Sequence, residues 1–194
     1  MMSRNKELIR QLDAGRYEET EGGILIGSSF LGRGKYHAFV DGVHVETTHN
    51  KIPKEALIYF LRTGLLGRSQ VTQFYLALYS GAVSPSDNWT AANFASNASE
   101  ITSSTEGYSN STRPEWIPDT STPTDPVVAN LNTLATFDIV CSSSLNISGS
   151  ALLTSSAKGG TDGVLISATR FNNVHTVNNG STFQLGYEVE LVDV

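Results

Sequence analysis

The sequence predicts a mainly β chain: a β-sandwich or jelly-roll-like domain with one packed helix at about 53–66 and an N-terminal helix-plus-extended arm. Three observations carry that expectation. Asp41-Gly42 sits between two alternating segments, YHAFV and VHVET, which is the signature of a two-residue hairpin. Gln70–Ser80 (QVTQFYLALYS) is apolar on both faces, as a strand covered on both sides must be. From Val127 onward, short strand-like runs alternate with Gly- and Asn-rich turns.

Taken in order, Ser3–Ala14 reads as a short helix. Ser3 can cap it, Leu8, Ile9 and Leu12 fall on one face, and Gly15 can end it. So few apolar contacts do not hold a helix alone, so it must dock on its own domain or on a neighbour. Gly22–Gly34 (GGILIGSSFLGRG) is apolar but broken by glycines, which suits an extended arm or a short strand. Residues 1–34 are therefore assigned to an arm and 35–194 to a single β-rich domain.

In the Lys35–His49 hairpin the expected register sets Val40 against Val43, Phe39 against His44 and His37 against Glu46. Tyr36, Ala38, Val40, Val43 and Val45 then share one face. Pro53–Leu66 reads as a helix, with Pro53 suited to its first position and Ala56, Leu57, Phe60 and Leu61 forming one apolar stripe. Asn88–Asp125 is the least regular stretch. Trp89, Phe94, Tyr108 and Trp116 are spaced through it, and four large aromatics predict docking rather than disorder. Ala91–Ala98 is expected to form one or two helical turns. The remaining strands are Val127–Val140, Asn146–Ser155, Gly163–Thr169, Asn173–Val177 and Thr182–Val192, separated by turn-rich segments.

Composition narrows the function class. The net charge is −6, and the first 70 residues hold 10 of the 13 basic and 8 of the 19 acidic groups. The charge therefore runs from +2 in residues 1–70 to −8 in residues 71–194. Such a chain is a poor candidate for gripping nucleic acid, whose affinity comes from neutralised phosphates. No apolar run is long enough for a transmembrane helix, and the charged N-terminus lacks the apolar core of a secretory signal. The single cysteine, Cys141, excludes an intramolecular disulfide framework.

Several constellations bear on chemistry. GSSFLGRG over 27–34 lacks the Lys-Ser/Thr pair of a phosphate-binding loop. His37, His44 and Glu46 share a hairpin face in the expected register, but His49 lies past its end and no third histidine is fixed. Glu100, Glu106 and Glu115 lie in the aromatic segment without anything to set two carboxyls at a working separation. No nucleophile elbow surrounds any serine, and His175 has no adjacent acid. Five Asn-Xaa-Ser/Thr triplets, at Asn88, Asn97, Asn110, Asn146 and Asn179, read as by-products of the composition. Arg113, followed by Trp116 and preceded by Tyr108, reads as an anchor for the long segment, stacking on one of those rings and pairing with a nearby carboxylate. No catalytic residue, cofactor site or metal site is expected.

The order of blocks resembles small virion structural proteins of tailed bacteriophages. The stretches that carry it are DGVHVETTHNKIPKEALIYFL, FYLALYSGAVSPSDNWTAANF, EITSSTEGYSNSTRPEW, ATFDI and GSALLTSSAKGGTDGVLISATRFNNVHTVNNGSTFQLGYEVEL, over roughly residues 35–194. The resemblance implies a non-enzymatic capsid decoration or cement protein, located in the virion and assembled in the bacterial cytoplasm. Its partners would be the major capsid protein or other virion proteins and sister subunits of a homo-oligomer, with neither nucleic acid nor membrane. The expected assembly contacts are Leu8, Ile9, Leu12, Ile24, Leu25, Ile26, Phe30 and Leu31. The alternatives are a neck, collar or tail accessory protein in low copy number, and a glycan-binding module using Trp89, Tyr108 and Trp116.

Overall fold

The computed structural model describes residues 17–20, 23–26 and 30–193, with side chains over 32–191. The expected Ser3–Ala14 helix lies outside the described residues. The chain divides into two units, Met1–Gly32 with Leu191–Val194, and Arg33–Glu190. In the first, β1 (Tyr17–Thr20) and β2 (Gly23–Ile26) form an antiparallel hairpin with Tyr17 opposite Ile26.

The larger unit is a β-sandwich. One sheet runs β4-β3-β12-β9-β6, with β8 also paired to β12. These strands are β3 (Phe30–Val40), β4 (Val43–His49), β6 (Gly107–Tyr108), β8 (Val127–Ala129), β9 (Ala135–Val140) and β12 (Thr182–Asp193). The other sheet runs β11-β10-β5-β7, built from β5 (Phe74–Tyr79), β7 (Glu115–Trp116), β10 (Ser144–Leu153) and β11 (Leu165–Asn178). Two helices, α1 (Lys54–Gly64) and α2 (Ala91–Ala98), complete the described part of this unit.

The interior follows from strand alternation. Tyr36, Ala38, Leu76, Leu78, Phe137, Ile139, Leu152, Phe183, Leu185 and Tyr187 fill the space between the sheets. A second cluster lies on the other face of the four-stranded sheet, where Ala77, Tyr79, Ala151 and Leu153 meet Trp89, Ala91, Phe94 and Ala98. β5 is thus covered on both faces, as its unbroken apolar run predicted. The strand itself is shorter than the expected Gln70–Ser80, starting only at Phe74.

The Asp41-Gly42 turn has φ of 49° and 80° at its two central residues, the primed-turn geometry that an Asp-Gly pair favours. Its register departs from expectation. The pairing shifts by one between Phe39↔His44 and Ala38↔Glu46, so His37 opposes Thr47 instead of Glu46. The shift leaves Val45 unpaired and turns Glu46 inward beside Ala38. Val43 and Val45 are exposed and do not share the buried face of Tyr36 and Ala38.

Two further boundaries differ from the expected ones. The expected Val127–Val140 strand is broken after Ala129, where buried Asn130 donates to the Thr133 and Leu185 carbonyls and accepts from the Tyr187 amide. The expected Gly163–Thr169 and Asn173–Val177 strands are one, β11, with an irregularity between Arg170 and His175. The stretch Asn88–Asp125 carries α2 at the expected Ala91–Ala98, then β6 and β7. Its four aromatics are all buried, Trp89 and Trp116 at 3% and 8% exposure.

Candidate functional site

The helix α1 is where sequence expectation and structure part most. Its stripe of Leu57, Phe60 and Leu61 was expected to face the sheet, yet these side chains are 52%, 43% and 55% exposed. The helix is attached by another face. Ala56 is fully buried, and Tyr59 packs against the inter-sheet core. The Glu55 carboxylate accepts from the backbone amides of Ala91 (2.8 Å) and Leu165 (2.7 Å), tying α1 to the start of α2 and of β11. The spacing 52–53, 56, 59, 63 therefore attaches the helix, and the stronger apolar stripe points outward. Ile58, Leu65 and Leu66 extend it, the last two at 78% and 69% exposure. Beside it lies an open cleft of about 530 Å³, lined by Lys54, Glu55, Tyr59, Arg62 and Asp87 among others.

The segment anchor is built differently from its sequence reading. Arg113 is buried and forks onto Glu100, with Nε donating to Oε1 at 2.7 Å and Nη2 to Oε2 at 2.8 Å. Arg113 Nη1 donates to the Ser155 carbonyl, and the Gly159 amide donates to Glu100 Oε2. The aromatic under the guanidinium is Phe94, 6.0 Å from ring centroid to Cζ, and neither Trp116 nor Tyr108. Tyr108 instead carries Lys158 over its ring, with Nζ 3.8 Å from the centroid, and burial lowers that ammonium's pKa. Trp116 donates from its indole to the Tyr187 carbonyl. Arg113 was legible as an anchor because it is one of three basic residues after position 70. Its acidic partner was not, since the chain between them passes through β6 before returning.

Glu46 forms a second internal cluster. It accepts from Thr48 Oγ1 (2.6 Å) and the amides of Asn172 (2.6 Å) and Asn173 (3.3 Å), and lies 3.1 Å from His175 Nε2. Burial alone would raise its pKa; the Thr48 hydroxyl, the two amides and His175 outweigh it and hold the carboxyl below its usual range. This carboxylate grips the irregular stretch of β11. It has left the face of His37 and His44, which both bond Thr47 Oγ1. Among the described residues no group of three His, Cys, Asp or Glu side chains could hold a metal ion.

Ser167 Oγ lies 2.7 Å from Tyr36 Oη, and burial pushes the Tyr36 phenol up and Tyr187 up to about 12. Glu106 is occupied by the Ser142 amide, and Glu115 meets only Gln73. Trp89, Tyr108 and Trp116 are interior and form no exposed row for stacking on a sugar. Leu8, Ile9 and Leu12 lie outside the described residues. Ile24, Leu25 and Ile26 fall in β2, and Phe30 and Leu31 in β3, with side chains outside the described ones. Compared with known proteins, the chain matches no family model, no curated protein and no solved structure.

Proposed function

We propose that the chain is a non-enzymatic structural protein of a tailed-bacteriophage virion, a capsid decoration protein that works by burying surface against its neighbours. The virion setting rests on the resemblance of the blocks over residues 35–194. The class rests on one observation: three carboxylates are taken up inside the fold while an apolar stripe of α1 faces outward. Glu46, Glu55 and Glu100 spend their oxygens on backbone amides and internal partners. Leu57, Ile58, Phe60 and Leu61 of α1 meanwhile stand exposed on a helix that is fixed by its other face. That arrangement supports adhesion better than turnover.

Quantitative mass spectrometry of purified particles tests the reading. A copy number comparable with that of the major capsid protein supports a decoration lattice. A count that is a small fraction of it moves the protein to the neck, collar or tail. Absence from particles overturns the virion setting.

A further inference from the structure

We propose that the exposed face of α1 docks on the acidic surface around β7 of a second copy of this chain, so that copies associate head to tail. Ile58, Leu57, Phe60, Leu61, Leu65 and Leu66 are between 39% and 78% exposed. Together they offer roughly 500 Å² of apolar surface, the size of patch that marks an interaction site on a monomer. With its polar rim, the face approaches the ~800 Å² that a stable pairing covers on each partner.

The rim is basic. Lys54, Arg62 and Arg68 flank the stripe, and none of them has an acidic partner among the ion pairs of the described residues. Pairing α1 with its own copy would set these like charges together, which disfavours a two-fold contact. The complementary surface is on the same chain. Residues 114–135 carry Glu115, Asp119 and Asp125 and no basic residue. Exposed Ile117 (50%) and Leu131 (41%) lie beside these acids. Asp119 brings the two stretches together, accepting from the Asn132 amide at 3.1 Å while its own amide donates to Ala129.

The two surfaces sit apart in the fold. α1 packs on β11, one edge of the four-stranded sheet, and Glu115 lies on β7, the other edge. An interface between unlike surfaces does not close on itself in a pair. It produces a ring or a filament. This deepens the assembly reading and rests on it for the setting in which copies meet.

Sedimentation of the full-length protein over a range of concentrations is the first test, with association beyond the monomer expected. Leu61→Asp should abolish it while leaving the thermal melt unchanged, because Leu61 is already in solvent. Arg62→Glu should weaken it, and Arg62→Glu combined with Glu115→Arg should restore it. For direction, Leu61→Cys and Ile117→Cys variants are treated with a short bis-maleimide, Cys141 being buried. Cross-linked dimer only in the mixture of the two supports head-to-tail docking, whereas dimer from Leu61→Cys alone overturns it. A wild-type chain that stays monomeric, or association that ignores Leu61→Asp, also overturns it. A monomer still found in particles would remove this inference and leave the assembly reading standing; an oligomer absent from particles would do the reverse.

Discussion

Arg113 and Glu100 meet through two parallel hydrogen bonds, 2.7 and 2.8 Å, with neither side chain exposed to solvent. They lie thirteen positions apart in sequence, and between them the chain makes β6 and a turn. Taking both charges out of water is costly, and the pair offsets this by filling its remaining sites with the Ser155 carbonyl and the Gly159 amide. The pair therefore closes the long segment onto the 154–163 loop.

Removing one partner should cost more than the pair itself contributes. Arg113→Ala strands the Glu100 carboxylate in the interior, so a loss of about 3–5 kcal/mol is expected in denaturant melts. Arg113→Lys should recover little, because an ammonium cannot make the fork. The double change Arg113→Met with Glu100→Leu should be milder than either single charge removal.

Glu46 makes a pH prediction. Its folded-state pKa lies below the usual carboxylate range, so its contribution to stability is present above the unfolded value. That contribution is lost as pH falls through the folded value. Unfolding free energy of the native chain and Glu46→Gln should therefore differ at neutral pH and converge in acid. Equal stabilities at pH 7 would show that the carboxylate does not hold the 171–174 stretch.

Gly149→Ala should destabilise by about 1–3 kcal/mol through overpacking. A Cβ there would lie 2.2 Å from the Tyr79 ring and 2.3 Å from the Thr169 carbonyl oxygen. The Tyr79 hydroxyl donates to that same carbonyl at 2.8 Å, so the ring cannot step aside without losing the bond. Thermal melts of the variant read this directly.

Both tryptophans should emit at short wavelength and resist iodide. Trp89 packs edge-on to Tyr79 and Phe94, and Trp116 to Phe74 and Tyr187. Long-wavelength emission that iodide quenches readily would contradict this burial and reopen the glycan-binding alternative.

The sequence made the local rules legible and hid the long-range ones. Asp41-Gly42 named its turn, because positive φ at two successive positions leaves few choices. The slip at Val45 followed from Glu46 reaching Asn172 and Asn173, over a hundred residues away, and no local pattern announces that. The β5 run declared double burial, since six apolar positions in a row leave no polar face. The stripe on α1 misled for the opposite reason: periodicity identifies a face, and only the neighbours decide whether it turns inward. Asn130 looked like a strand residue because a buried amide that replaces ladder bonds has no compositional mark.

The acidic residues also behave in a way that composition conceals. Asp41 accepts from the Thr182 amide, Glu55 from Ala91 and Leu165, Glu106 from Ser142 and Asp119 from Asn132. Carboxylates here fasten backbone amides as well as pairing with Arg33, Lys35, Lys51 and Arg113, so a stretch with 11 acids and 3 bases folds without an equal number of bases of its own.

β5 belongs to two interiors at once, with Leu76 and Leu78 in one and Ala77 and Tyr79 in the other. Disordering β5 therefore opens both interiors together, since the same six residues serve each. Amide hydrogens of β5, β10 and the eight-residue α2 should therefore exchange with solvent in one cooperative event, at the rate of global unfolding. A surface helix too short to persist alone thus inherits the protection of the strand beneath it.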